Sequence, residues 1–122
     1  MTPADGPAYA AAVLILYVDL PDTPLRPTAR DHWLARQFHE QGIPVSLVES
    51  ALLLATLRRL VRPVALPPLP PIRSLAYFQP VIDELQQQPL PEGYLNYLRL
   101  KLQQATKHTA NRVQKTTDFD DR

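Results

Sequence analysis

The sequence predicts an all-α domain, organised as a small bundle of four or five helices with a polyproline linker between its two halves. Two stretches of helical character meet at Gly42 and Pro44, a glycine and a proline that end one helix and begin another. Leucines near the C-terminus recur at helical spacing, and no two segments have the pattern of paired strands. A chain of 122 residues is long enough to bury a core of its own.

The composition indicates one domain and excludes cysteine chemistry. We expect a single helical domain over residues 1–116, followed by a disordered acidic tail at residues 117–122. Because the chain has no cysteine, it has no disulfide, no thiolate nucleophile and no cysteine-based zinc site. We therefore expect a cytoplasmic protein, and its formal net charge of +1 does not by itself indicate nucleic-acid binding.

The first element is an apolar run at residues 8–20. It is too short to span a bilayer and no Lys or Arg precedes it, so we expect neither a membrane span nor a signal peptide. Its alanines favour a helix, whereas residues 13–18 would equally suit a buried strand. Since no second strand is available to pair with it, we predict a helix.

The second element is a helix at residues 29–40, which follows an extended connector with three prolines at residues 20–27. Thr28 is the predicted N-cap, and Gly42 supplies the left-handed residue that stops the helix. Three apolar side chains are expected together on its inner face: Trp33, Leu34 and Phe38.

The third element is a helix at residues 47–62 that is apolar on nearly every face, as is typical of the central helix of a bundle. Ser46 is the predicted N-cap, with Glu49 completing a capping box, and Pro63 ends the helix. Three arginines close its last turn, where the negative end of the helix dipole favours cations: Arg58, Arg59 and Arg62.

Residues 63–71 are rich in proline and are predicted to form a semi-rigid polyproline II spacer between the two halves of the fold. The sequence from Pro68 to Arg73 also fits the Pro-x-x-Pro-x-Arg pattern that SH3-type grooves recognise. An internal spacer whose apolar side chains pack on the core is the preferred interpretation.

Two more helices are predicted in the C-terminal part. Ser74 is expected to cap a segment at residues 75–87, in which Pro80 either follows a short broken turn or starts a helix that begins late. The last helix begins near residue 91 or 92. Its apolar stripe comprises Leu95, Leu98, Leu102 and Ala105. Because the stripe is shorter than a stable coiled coil needs, we expect it to pack within one chain and the protein to be a monomer.

No pattern in the chain predicts an enzyme, a metal site or a cofactor. His32 and His39 share a helix face but lie about 10 Å apart along the axis, too far to bind one metal ion. Neither these two nor His108 has a suitable partner, and the carboxylates have no nucleophile or base at a meaningful spacing. With three glycines in all, the sequence contains no phosphate-binding glycine loop.

The clearest binding feature is the set of arginines in the middle of the chain. Residues 26–73 hold seven arginines against three carboxylates, a balance of +4. The helices at 29–40 and 47–62 are connected like a helix-turn-helix, but the second is too apolar to read bases in the major groove. We instead predict contacts to DNA phosphates from Arg58, Arg59, Arg62 and Arg73.

Residues 42–51, followed after a spacer by residues 72–77, resemble the C-terminal helical domain of DnaD-type primosome proteins and replication-associated proteins of bacterial mobile elements. Tyr77, Val81 and Leu85 have the spacing of that family's Tyr-x-x-x-Ile-x-x-x-Trp helix, with Val and Leu in place of its Ile and Trp. The resemblance implies contacts with DNA and with other primosome proteins.

Together these observations predict a non-catalytic DNA-associated accessory or adaptor protein of bacterial or mobile-element DNA replication. The alternative, from another functional class, is a protein-interaction or scaffold module without nucleic-acid contact, since arginine clusters are often only a solvated face.

Overall fold

The structure is a computed structural model that describes residues 6–63 and 65–106. Within these residues it contains five α-helices, one 3-10 turn and no strand. The elements are α1 (Gly6–Val18), α2 (Ala29–Glu40), α3 (Val45–Leu60), a 3-10 turn (Leu75–Phe78), α4 (Gln79–Gln87) and α5 (94–106). The prediction of an all-α bundle is therefore confirmed for this part of the chain. The predicted acidic tail at 117–122 lies outside the described residues.

Helix α3 occupies the centre of the bundle, as its composition predicts. It packs against α1, the 3-10 turn and α4, and α1 in turn packs along α2. Seven of its residues are buried, more than in α1, α2 or α4: Val48, Ser50, Ala51, Leu52, Leu53, Ala55 and Thr56. The two buried hydroxyls are satisfied locally, since Ser50 and Thr56 each donate to the carbonyl four residues earlier.

The apolar run near the N-terminus is helical, which settles the choice between helix and strand. Val13, Leu14 and Tyr17 of α1 are buried, whereas Ile15 is 67% exposed. Among the helices of residues 6–63 and 65–106, none combines the length and the apolar character that crossing a membrane requires.

The predicted capping box at the start of α3 is wrong. The N-cap is Pro44, whose φ of −63° and extended ψ lead the chain into the helix at Val45, and no side chain caps this end. Ser46 consequently lies inside the first turn rather than before it. The fixed φ of proline suits the entry to a helix, so the chain turns two residues earlier than the serine indicates. Glu49 instead accepts two hydrogen bonds from Arg99 of α5, both at 2.8 Å.

A capping box does form at α2, where Thr28 is the N-cap as predicted. The Thr28 hydroxyl accepts from the Asp31 amide at 3.2 Å, and the Thr28 amide donates to Asp31 Oδ2 at 2.9 Å. Asp31 is 1% exposed, and its other oxygen, Oδ1, accepts the backbone amide of Leu75 at 3.0 Å. One carboxylate thus satisfies the start of α2 and the start of the 3-10 turn.

The inner face of α2 is narrower than predicted. Leu34 and Phe38 are buried, but Trp33 is 53% exposed and belongs to the outer face, so that part of the prediction is wrong. Leu34, Ala35 and Phe38 define the buried face, and Trp33 lies about 200° of helical rotation from Ala35, on the other side of the helix. Gly42, with φ of +75°, provides the predicted left-handed stop.

A backbone hydrogen bond joins the start of the second half of the fold to the first half. The Ile72 amide donates to the Asp22 carbonyl at 2.8 Å, which holds the end of the proline-rich segment against the α1–α2 connection. Ser74 caps the 3-10 turn, as predicted for the segment that follows it. Pro80 lies within the first two positions of α4, so the short turn precedes the proline and the α-helix starts late.

The proline-rich segment is only partly consistent with a polyproline spacer. The Leu66 amide donates to the Pro63 carbonyl at 3.1 Å, which makes a turn, whereas polyproline II has no internal hydrogen bonds. Residues 67–74 have neither helix nor strand structure. The polyproline conformation itself therefore stays a prediction for that stretch.

Helix α5 follows Gly93, which has φ of +85°, and begins within a few residues of the predicted start. Leu98 is 1% exposed, and Leu95 and Leu102 are partly buried against the same core. This burial accounts for the apolar stripe within a single chain, while the monomeric state itself stays a prediction.

We predict that Asp31→Ala destabilises the fold by about 2–4 kcal/mol, because it removes the α2 cap and leaves the buried Leu75 amide without an acceptor. Asp31→Asn retains one acceptor oxygen and should cost less. Urea unfolding followed by circular dichroism measures both free energies. Equal, near-zero losses would show that the buried carboxylate does not connect the two halves.

Tyr17 provides a test at alkaline pH. Its side chain is fully buried and its hydroxyl has no hydrogen-bond partner among the described residues. Burial, and to a lesser extent the charge of Asp31, raises the pKa of Tyr17 to about 12. The folded pKa of Tyr17 lies above the ordinary value near 10, so the unfolded chain loses this proton at lower pH than the folded protein does. The contribution of Tyr17 to the free energy of unfolding is therefore unchanged below a pH of about 10 and decreases as the pH rises toward 12.

We therefore expect Tyr17→Phe to keep its stability at neutral pH and to lose less stability than the wild type between pH 10 and 12. The free energy of unfolding, measured at several pH values, tests this. Tyr97→Phe is the matched control because Tyr97 is 48% exposed, and it should follow the wild type. Identical pH dependence in all three proteins would contradict the prediction.

Candidate functional site

Three of the four arginines singled out by the sequence meet at one open pocket of about 280 Å³, which we call the arginine pocket. Its polar lining consists of Arg58, Arg59, Arg62 and Tyr77, and its apolar lining of Ala55, Leu69 and Val81. The pocket lies where the C-terminal end of α3 meets the proline-rich segment and the start of the second half.

Arg58 forms a two-pronged ion pair with Glu84 of α4. Its two terminal nitrogens donate to the two carboxylate oxygens at 2.9 and 2.8 Å. These hydrogen bonds raise the pKa of Arg58 and lower the pKa of Glu84 below its ordinary value. Because both side chains are about half exposed, the pair contributes little to stability, but it fixes the orientation of the guanidinium.

Arg59 is the most enclosed arginine of the pocket, with a side chain that is 8% exposed. It donates to the Pro70 carbonyl at 2.9 Å, to the Asp22 carboxylate at 3.2 Å and to the Tyr77 hydroxyl at 3.2 Å. Its guanidinium also lies 5.4 Å from the centroid of the Tyr77 ring. Burial acts against the charge, but hydrogen bonds with Tyr77 and Asp22 outweigh it, so the pKa of Arg59 is raised.

Arg62 and Arg73 make fewer contacts within the protein than Arg58 and Arg59 do. The prediction that α3 continues to Arg62 is wrong, because the helix ends at Leu60 and is capped at Val61. Arg62 therefore lies beyond the helix, and it donates to the Pro67 carbonyl at 3.1 Å. Arg73 is exposed and does not line the pocket, and within the described residues it has neither a hydrogen bond nor an ion pair. Neither side chain has a carboxylate partner in that part of the chain.

The arrangement has spare capacity for an anion. The four arginines are balanced by two carboxylates, those of Asp22 and Glu84, so a charge of +2 is left over. Each guanidinium has five N–H donors, and Arg62 uses one of them within the protein. A phosphate or carboxylate group could therefore bind at Arg62 or at Arg73 without displacing a carboxylate of the protein.

The sequence did not identify the internal partners of these arginines. Tyr77 is singled out in the sequence only by the DnaD-type resemblance, and no sequence feature marks Asp22 as a partner of an arginine. Asp22 lies 37 residues before Arg59 in the chain, so no local spacing relates them. A positive φ at Asp22, 64°, is likewise invisible in the sequence.

The histidines are not arranged as ligands. His32 is exposed, and the ring of His39 packs on Tyr9 with centroids 5.0 Å apart. Over residues 6–63 and 65–106, no three His, Asp or Glu side chains come together in a way that could hold a metal ion. His108 lies outside these residues.

A larger open cleft, of about 420 Å³, lies between the start of α3, the end of α4 and the start of α5. Its lining is mostly apolar and proline-rich, with Glu92 as its charged residue. None of the predicted site residues reaches it, so the arginine pocket is the better candidate for a functional site.

Comparison with protein-family models, with curated proteins and with solved structures finds no match to this chain.

We predict that Arg59→Gln destabilises the protein more than Arg58→Gln does. The first change removes donors to Pro70 and Asp22 in an enclosed position and should cost about 1–3 kcal/mol. The second breaks a solvent-exposed ion pair and should cost about 0.2–1 kcal/mol. Urea unfolding of both variants measures the difference, and a reversed order would contradict the structural role assigned to Arg59.

Proposed function

We propose that the protein is a non-catalytic, DNA-associated accessory or adaptor of bacterial or mobile-element DNA replication that acts in the cytoplasm as a monomer. The main support is the meeting of Arg58, Arg59 and Arg62 at one open pocket, with an excess of positive charge. The DnaD-type resemblance supplies the replication context, including other replication or mobile-element proteins as partners.

In this proposal the arginines have different tasks. Arg62 and Arg73 lack carboxylate partners in the described residues and bind phosphates directly. Arg58 and Arg59 keep their internal partners, shape the pocket and add to its positive potential.

The contact is expected to be independent of DNA sequence. Helix α3 has its first turns buried among the other helices, with Val48, Ala51 and Leu52 fully enclosed. Recognition helices place polar residues of these turns against base edges in the major groove, which α3 cannot do. The proposed phosphate contacts therefore come from Arg62, just beyond the end of α3, and from Arg73, rather than from a helix that lies in the groove.

A second candidate function is a protein-interaction or scaffold module without nucleic-acid contact. It is favoured by a specific observation: Arg58 and Arg59 already have carboxylate partners within the chain. Under this alternative the arginines serve only to hold the proline-rich segment and α4.

The proposal is tested by measuring the affinity for labelled duplex and single-stranded DNA across a salt series. Changing Arg62 and Arg73 together to Gln should weaken binding to all sequences alike and reduce the slope of log affinity against log salt by about 2. The matched control is Arg99→Gln, which removes an exposed arginine that is paired with Glu49 away from the pocket.

The control should retain the wild-type slope. If the double variant also retained the wild-type affinity and slope, phosphate contact at these arginines would be excluded. Absence of binding by the wild type at low salt would favour the scaffold alternative.

A further inference from the structure

The outer face of α2 carries an aromatic and basic surface that the proposed phosphate contacts do not use. Trp33, the one tryptophan of the chain, is 53% exposed. The guanidinium carbon of Arg30 lies over its ring, 5.8 Å from the centroid, and Arg36 follows three residues later. Arg30 and Arg36 are about 9 Å apart along the helix axis, with Trp33 midway between them. We call Arg30, Trp33 and Arg36 the tryptophan patch.

The two arginines of the tryptophan patch have no carboxylate partner in the described part of the chain. There Arg36 has neither a hydrogen bond nor an ion pair, and Arg30 contacts the Trp33 ring. Asp31 is buried on the opposite side of α2, where backbone amides donate to both of its oxygens. Glu40 lies one turn beyond Arg36 but pairs with neither arginine. Both guanidiniums can therefore bind an external anion without displacing a carboxylate of the protein.

The tryptophan patch lies close to an arginine that the proposed function already uses. The Leu75 amide donates to Asp31 Oδ1 at 3.0 Å. Arg30 directly precedes the acceptor residue in the chain, and Arg73 lies two residues before the donor. Chain geometry thus keeps the Cα atoms of Arg30 and Arg73 within about 17 Å of each other. Because Arg73 is exposed, an extended anion held there can continue to the tryptophan patch.

An exposed indole between unpaired guanidiniums matches the chemistry of a single-stranded nucleic acid. Bases of any sequence stack on aromatic rings, and basic side chains bind the backbone between them. In a duplex the base faces are covered by their neighbours, so a ring on the outside of a helix can stack only on an unpaired base.

An acidic peptide fits the tryptophan patch less well than a nucleic acid does. The aromatic anchors of protein interfaces fill well-packed pockets from which water is excluded. Trp33 is instead half exposed, and it lines neither the arginine pocket nor the larger cleft. The observations therefore favour stacking on an open ring.

We propose that an unpaired base of single-stranded DNA stacks on Trp33, while Arg30 and Arg36 bind the phosphates on either side of that base. The strand continues toward Arg73, which binds a further phosphate. This inference rests on the proposed DNA contact and adds to it a preference for single strands over duplexes. Since every base has a π face, the stacking contact is independent of base sequence.

The single tryptophan makes this contact directly measurable in the full-length wild-type protein. A thymine decamer should quench the fluorescence of Trp33, because a stacked base lies against the indole ring. A decamer of the same backbone without bases should bind about 5- to 150-fold more weakly, the range for loss of one stacked base, and should not quench. A duplex of the same length can bind the phosphate-contacting arginines but should also leave the fluorescence unchanged.

Variants separate the stacking contact from the phosphate contacts. Trp33→Ala should weaken binding of the thymine decamer by about 5- to 150-fold and leave duplex binding unchanged, whereas Trp33→Phe keeps a ring and should bind nearly as the wild type does. Changing Arg30 and Arg36 together to Gln should reduce the slope of log affinity against log salt by about 1.4 for the single strand.

The matched control is Tyr97→Ala on α5. Tyr97 is 48% exposed, and a single cation, the Lys101 ammonium, lies 5.8 Å from its ring centroid. This variant should bind the thymine decamer as the wild type does, which separates the tryptophan patch from exposed aromatic side chains in general. Circular dichroism checks that every variant keeps the helical content of the wild type.

The possible failures of the two proposals are distinguishable. Wild-type DNA binding without quenching, and with unchanged affinity in Trp33→Ala, would overturn the stacking contact and leave the phosphate contacts at Arg62 and Arg73 intact. Absence of DNA binding by the wild type at low salt would overturn both. Equal quenching by polyglutamate and by the thymine decamer would also overturn the stacking contact, because the surface would then recognise an acidic protein.

Discussion

The fold depends on one buried carboxylate. Asp31 accepts the Thr28 amide with one oxygen and the Leu75 amide with the other, so it joins segments 44 residues apart. Removing a carboxylate from water is costly unless its oxygens are hydrogen-bonded, and here each oxygen has a backbone donor. Three residues before Leu75, the Ile72 amide donates to the Asp22 carbonyl, and this hydrogen bond also joins the two halves of the fold. Together these contacts position the second half against the first.

Arg59 connects the same two halves from the solvent side. Its donors reach Asp22 in the α1–α2 connection, Pro70 in the proline-rich segment and Tyr77 in the 3-10 turn. The prolines of this segment have no N–H groups with which to form a backbone ladder, and the Pro67 and Pro70 carbonyls accept arginine donors. The arginines that predict phosphate binding therefore also hold the linker in place. Arg62 uses one donor for the Pro67 carbonyl, so a phosphate bound to its other donors would lie beside the linker.

The helices were predictable from the sequence because their signals are local. Thr28 and Gly42 mark the ends of α2, and the apolar character of α3 predicts its central position. Thr28 and Asp31 form a capping box at α2, whereas Ser46 and Glu49, which have the same spacing, do not form one at α3. Proline geometry at Pro44 decided against that pair, since the chain enters the helix before the serine. A serine-based box is thus a weaker signal when a proline precedes it.

The sequence predicted the arginines of the candidate site but not their partners within the protein. The sequence shows which residues are charged, but the carboxylates that neutralise the arginines come from distant segments of the chain, as Glu84 does for Arg58. Once these pairs are removed from the balance, Arg62 and Arg73 are left without a carboxylate partner in the described part of the chain, while Val48, Ala51 and Leu52 in the first turns of α3 are enclosed in the core. The burial of these three residues argues against α3 as a recognition helix, which is why the proposed DNA contact is made by arginines on phosphates rather than by a helix in a groove.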